Sequence, residues 1–234
     1  MRIAIHQPNY LPYLGFFHKI YLSDIFAILD TAQFVKSGLL AWMNRNKIRT
    51  SQGWTWLTVP VLTKGKFPVS IKDARIGNTS DWRRKHLNSL CLNYRKAPYF
   101  HKYIQFFEAL YKNEWEGLSQ LNIEIIGYLL KELKISVKVV KVSDLKVRGK
   151  GSELLINICK ELGADEYIYG QHGDDYMDFI QFEQNKIRLT PQDFKHPRYK
   201  QLYEPFLENM SAIDLLFNEG ENSLAILQKA GGSK

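Results

Sequence analysis

A chain of 234 residues, 45 % apolar and 24 % charged, can bury a full core and has the balance of an ordinary globular protein. No apolar stretch approaches the roughly 20 residues that span a bilayer, and the run after Met1 is too short for a secretory leader. A cytoplasmic protein with no membrane partner is therefore expected. The formal charge of +8 admits an anionic small-molecule pocket or nucleic acid. Its basic residues are scattered, however, densest at 45–49 and at Arg83-Arg84-Lys85, with no block of the kind that marks a nucleic-acid tail.

The first thirty residues organise the rest. An apolar run at 2–5 leads into His6-Gln7-Pro8-Asn9-Tyr10-Leu11-Pro12, a helix is expected at 14–21, and a second apolar run at 25–29 closes on Asp30. Buried strand, tight loop, helix and buried strand make a βαβ unit. In such sheets ligands sit beyond the carboxyl ends of the strands, which is where His6, Gln7, Asn9 and Asp30 fall. The pattern Q-P-x-Y-x-P-x-L-G after a strand resembles the opening of the nucleotidylyltransferase-like folds. There an H-x-G-H tetrad holds nucleotide phosphates; here the aligned residues are Tyr13-Leu14-Gly15-Phe16. With both imidazoles absent, the resemblance supports the fold and argues against adenylyl transfer.

Residues 31–49 are polar, dense in Asn and Arg, and irregular, which reads as a loop wrapping an anionic ligand. Residues 54–61 and 69–76 read as a hairpin, with Trp54 and Trp56 on one face as packing groups. The period then becomes helical: 82–94 after the cap candidates Asn78-Thr79-Ser80, a second helix from Pro98 to about 112, and a third at 118–133. The third carries the stripe Leu118, Leu121, Ile125, Leu129 and Leu133. His86, one turn on from Trp82, reads as a packed histidine. Strand 137–142, helix 152–162 ending at Gly163, and strand 166–169 repeat the βαβ pattern. A last short strand is expected at 187–190, with C-terminal helices at 212–217 and 221–228.

The strand at 166–169 runs into Gly170-Gln171-His172-Gly173-Asp174-Asp175-Tyr176. Glycines there let backbone N–H groups approach a ligand, and the loop is expected to bring His172 and Tyr176 towards His6. There is no zinc spacing, covalent-nucleophile elbow, P-loop or dinucleotide fingerprint, so no metal is expected. Cys91 and Cys159 read as reduced core residues. Histidine and carboxylate at strand ends suit general base catalysis on an amine or hydroxyl.

Blocks along nearly the whole chain resemble the WbqC-like family. They include His6-Gln7-Pro8-Asn9-Tyr10-Leu11-Pro12, Leu29-Asp30, Gln33-Phe34, Asn44-Arg45-Asn46, Trp56-Leu57-Thr58-Val59-Pro60-Val61, Leu121-Asn122, His196-Pro197 and Asp214-Leu215-Leu216-Phe217-Asn218. Tyr13 and Tyr169-Gly170 depart from residues common in the family. The resemblance implies a bacterial protein of O-antigen, lipopolysaccharide or other surface-polysaccharide synthesis. It also implies transfer of a small acyl or aminoacyl group to an unusual sugar.

The expectation is a doubly wound, mostly parallel α/β sheet in one domain, 1–234, with a β-hairpin and a helical insertion at 78–134. Its leading function is an acyltransferase acting on a nucleotide-linked amino sugar. His6 or His172 is the expected base and Asp30 its orienting partner. Gln7, Asn9, Tyr10, Gln33, Lys36, Asn44, Arg45, Asn46, Lys47, Gly170 and Tyr176 are the expected substrate contacts. The donor is acyl-CoA or another activated small-molecule acyl group, and nucleic acid is a partner only if the donor is an aminoacyl-tRNA. The rivals are an adenylyl-forming enzyme and a non-enzymatic nucleotide- or RNA-binding module.

Overall fold

The computed structural model describes residues 1–38, 41–65, 67–171, 173–175 and 177–231. Strand β1 (Arg2–His6), helix α1 (Leu14–Tyr21) and strand β2 (Ile25–Ile28) form the expected βαβ unit, with Ile3 opposite Ile25 and His6 opposite Ile28. The chain then leaves the sheet for β3 (Arg45–Thr50), β4 (Gly53–Thr58), β5 (Val61–Leu62) and β6 (Arg75–Ile76). Helices α2 (Trp82–Tyr94), α3 (Phe100–Lys112) and α4 (Leu118–Glu132) follow. It returns as β7 (Lys138–Lys141) and closes with α5 (Gly151–Glu161), β8 (Glu166–Tyr169), α6 (Phe179–Gln184), β9 (Arg188–Pro191), α7 (Ala212–Glu219) and α8 (Ser223–Gln228).

The main sheet runs β7-β2-β1-β8-β9, and every pairing in it is parallel. Strands covered on both faces need no polar alternation, which is why β2 and β8 are buried at every residue. One apolar cluster joins Ala4, Phe26 and Ile28 to α1, the helical insertion and α7. The other joins Ile3, Ile5, Ala27 and Tyr167 to α5 and α6. The stripe of α4 is fully buried at Leu118, Leu121, Ile125, Leu129 and Leu133. Helix α5 stops at Gly163, where φ is +68° and Ala164 N–H reaches back to Cys159 O at 2.8 Å, a glycine-dependent stop. Among the described residues no helix is long and apolar enough to cross a membrane.

Two local expectations are corrected. The stretch from Arg45 is a strand, since β3 pairs with β4 from Arg45–Thr58 to Thr50–Gly53; only Val61 and Leu62 pair downstream, with Ile76 and Arg75. Helix α6 went unseen because six residues are too few to show a helical period.

The loop from Gln7 to Tyr13 is where these parts meet. Asn122 of α4 donates to Pro8 O at 2.8 Å and Met43 O at 2.7 Å. Asn46 donates to Leu11 O at 2.6 Å, Tyr10 N–H to Trp42 O at 3.2 Å, and Ala212 N–H to Pro12 O at 2.8 Å. Leu11 is held at φ +44°, a region a branched side chain rarely occupies. Asn122→Leu strands two buried carbonyls and should destabilise by about 2–4 kcal/mol. An unchanged urea midpoint would mean that the loop holds without that amide.

Candidate active site at the strand ends

Strand order reverses between β1 and β8: the chain builds outward on one side through β2 and β7, then crosses to β8 and β9. At such a reversal the connections leave on opposite faces, and a crevice opens beyond the strands' carboxyl ends. His6 ends β1, and Gly170 follows β8 beside it. The two strand-end loops expected to share a site are thus neighbours.

His6 is half-buried. Its Nδ1–H donates to Gln7 O at 2.9 Å, and its ring meets Phe16 edge-on at 5.0 Å. That tautomer leaves Nε2 as a lone-pair acceptor. Burial first, then the nearby Lys19 charge, lower its pKa to about 3 despite the bond to Gln7. An imidazole that stays neutral to so low a pH is a weak base.

Lys19 supplies what His6 lacks. It lies on α1 and is 5 % exposed; its Nζ donates to Ile5 O at 3.1 Å, under the end of β1. Burial brings its pKa down to about 7, so near neutrality a large fraction is the free amine, the range suited to a general base. The sequence reading passed over it. The signal in the sequence is that Leu14, Phe16, Phe17 and Ile20 leave the helix no clearly polar face; in the structure residues 14–20 are all buried.

Among the described residues, a Cβ built on Gly170 would meet only Gln192 Oε1, at 3.9 Å, so no described neighbour requires glycine there. Gln192, at the end of β9, closes the rim: its N–H donates to Tyr169 O at 2.9 Å and its Nε2 to Gly15 O at 2.6 Å.

The remaining expected contacts divide. Gln7 is half-buried beside His6, and its backbone carbonyl accepts from the His6 ring. His172 and Tyr176 lie outside the described residues. Asp30 is buried beyond β2, and its two carboxylate oxygens accept from Ser143 N–H at 3.0 Å and Ser143 Oγ at 2.6 Å; it makes no bond to His6, so the expected orienting contact to that ring is absent. Asn9 is buried. Tyr10 is buried too, and its hydroxyl bonds His86 Nδ1 at 2.8 Å and Tyr111. Asn44 and Asn46 spend their amides on Val59 O and Leu11 O. Gln33 is exposed and bridges to Ser70, and Lys36 lies over Phe67 at 4.0 Å. Arg45 and Lys47 project from β3 among tryptophans, with the Arg45 guanidinium 4.5 Å from Trp56. The structure therefore gathers His6, Gln7, Gly170 and Lys19 and sets the hairpin residues on a separate surface.

The chain is 37 % identical over 221 residues to the uncharacterized protein Rv1507c of Mycobacterium tuberculosis, covering 94 % of each. No solved structure matches it. Residues 7–226, from the strand-end loop to the last helix, match the WbqC-like protein family, and the chain belongs to that family.

Proposed function

We propose that the chain is an acyltransferase. It moves a small acyl or aminoacyl group, such as acetyl or glycyl, onto the amino group of a nucleotide-linked sugar in O-antigen or other surface-polysaccharide synthesis. The observation that carries this reading is Lys19, a buried amine poised near neutrality on Ile5 O, close to the neutral imidazole of His6 at the end of β1, where the strand order reverses. The sugar's pyrophosphate sits over the crevice, its amine accepts orientation from His6 Nε2, and the free amine of Lys19 removes the proton.

The step balances. The sugar nitrogen attacks the acyl carbon, a C–N bond forms, and the bond from acyl carbon to carrier breaks. The proton gained by Lys19 leaves with the carrier, an acyl-CoA thiol or the hydroxyl of an aminoacyl-tRNA. The test is mass spectrometry of UDP- and dTDP-amino sugars incubated with the protein and each donor. A product heavier by one acyl group is expected, and His6→Ala should lower turnover by about 10²-fold with the fold intact. Pyrophosphate released from ATP, with no acylated sugar, would move the chain to adenylyl chemistry.

A further inference from the structure

A cavity lies away from the strand ends, between the β3–β4 hairpin and α2. It has a volume of about 460 Å³, within the range of small-molecule sites. Trp56, Trp82, Lys85, His86, Ser80 and Ser89 line it. Lys85 of the basic spot at 83–85 and Trp56 of β4 line it together, and Arg45 of the other basic spot lies over the Trp56 ring at 4.5 Å.

On the hairpin, Arg45, Lys47, Trp54 and Trp56 share a face, because Lys47 pairs with Trp56 and Arg49 with Trp54. Trp54 is 47 % exposed and meets Trp56 edge-on at 5.5 Å; the Trp42 ring lies 5.4 Å from Trp56. Lys47 Nζ is 5.1 Å from the Trp54 ring. Across the cavity, Trp82 is pinned by its Nε1–H to Asn78 at 3.2 Å and is buried, so it forms a fixed wall. His86 is held between Tyr10 and the Thr58 carbonyl. Arg83 and Arg84 pair with Glu114 and Asp81. Arg45, Lys47 and Lys85, by contrast, have no carboxylate partner among the described residues. Uncompensated cations beside half-exposed indoles match the recognition chemistry of nucleotides, in which rings stack on aromatic faces and cations neutralise phosphate.

We propose that this cavity binds a nucleobase carrying phosphate, the base stacked on Trp56 and its edge met by Ser80 and Ser89, with the phosphates on Lys85 and Arg45. The site is distinct from the strand-end crevice and does not depend on the acyl-transfer reading.

The test is calorimetric titration of the purified protein with AMP, CMP, GMP and UMP, and anisotropy of a labelled single-stranded RNA hexamer, both at 50 mM salt. Binding is expected to weaken about 10- to 100-fold in Trp56→Ala and much less in Trp56→Phe, which keeps a ring and guards against a folding defect. Lys85→Gln should flatten the salt dependence of RNA binding by about one charge, whereas Lys160→Gln, on the far surface, should change nothing at the cavity. Saturation by mononucleotides identifies a free nucleotide as the source, and binding of the hexamer alone identifies an RNA end. Either supports the site. Absence of binding by both, or affinity for inorganic tripolyphosphate equal to that for nucleotides and indifferent to Trp56, would overturn it.

Discussion

Lys19→Met should stabilise the protein at pH 6 while lowering turnover about 10²-fold or more. Lys19 falls from an ordinary value of 10.5 to about 7 because it is buried. Between those values the unfolded chain holds a proton that the folded chain lacks, so stability rises with pH across that window. Below pH 7 the folded protein carries the whole cost of a buried ammonium, and methionine removes that cost while keeping the stem's volume. Set against it is the lost bond to Ile5 O, which leaves a net gain of about 2–4 kcal/mol at pH 6. The gain should fade above pH 10.5, where the folded lysine is neutral and the unfolded one becomes so. Guanidinium unfolding at the two pH values checks it. Equal destabilisation at both would mean that Lys19 is an ordinary structural lysine. A residue that weakens the fold while serving the site is the expected sign of function.

The largest loss of stability should come from Asp214→Ala, by about 3–5 kcal/mol. Asp214 is fully buried on α7. Its carboxylate accepts from Tyr94 at 2.9 Å, Tyr199 at 2.8 Å and Gln201 at 2.9 Å, and the Tyr94 hydroxyl in turn receives Arg49 N–H at 2.9 Å. One side chain therefore joins α2, β3 and the segment at 199–201. Burial pushes its pKa up against those hydrogen bonds and the Arg49 charge. The folded state thus holds its proton longer than the unfolded one, and the stability Asp214 confers is greatest at low pH and declines as pH rises through its folded value. Alanine leaves three buried donors without an acceptor. A urea midpoint within 1 kcal/mol of the unsubstituted protein, at unchanged slope, would show that water or the backbone replaces the carboxylate.

The parts of the fold legible in the sequence are those set locally. Helix Trp82–Tyr94 and strand Glu166–Tyr169 fall on their expected bounds, although the helix N-cap is Asp81, without a side-chain cap bond, rather than one of the expected Asn78-Thr79-Ser80. The strand-end loops were legible locally too: glycine, proline and polar residues follow buried runs. Pairing was not. Arg-Asn-Lys-Ile-Arg-Thr at 45–50 looks like loop because the groups its cations meet lie outside the segment: Arg45 and Lys47 stand beside the indoles of the paired strand, and Arg49 donates to the carbonyls of Tyr203 and Pro205. The same distance effect hid the roles of Asn46, read as a substrate contact, and Asp30, read as the orienting partner of a histidine: Asn46 bonds Leu11 O, and Asp30 accepts from the Ser143 N–H and hydroxyl. It also hid Lys19, whose chemistry comes from the sheet that covers it.

The most direct test is the titration of Lys19 by ¹³C NMR of its ε-carbon, assigned by loss of the signal in Lys19→Met, with and without a UDP-amino sugar. A midpoint near 7 in the free protein, moving upward when the sugar's pyrophosphate enters the crevice, is the predicted result. A midpoint near 10.5 that ignores the sugar nucleotide would contradict both the poised amine and the placement of the acceptor.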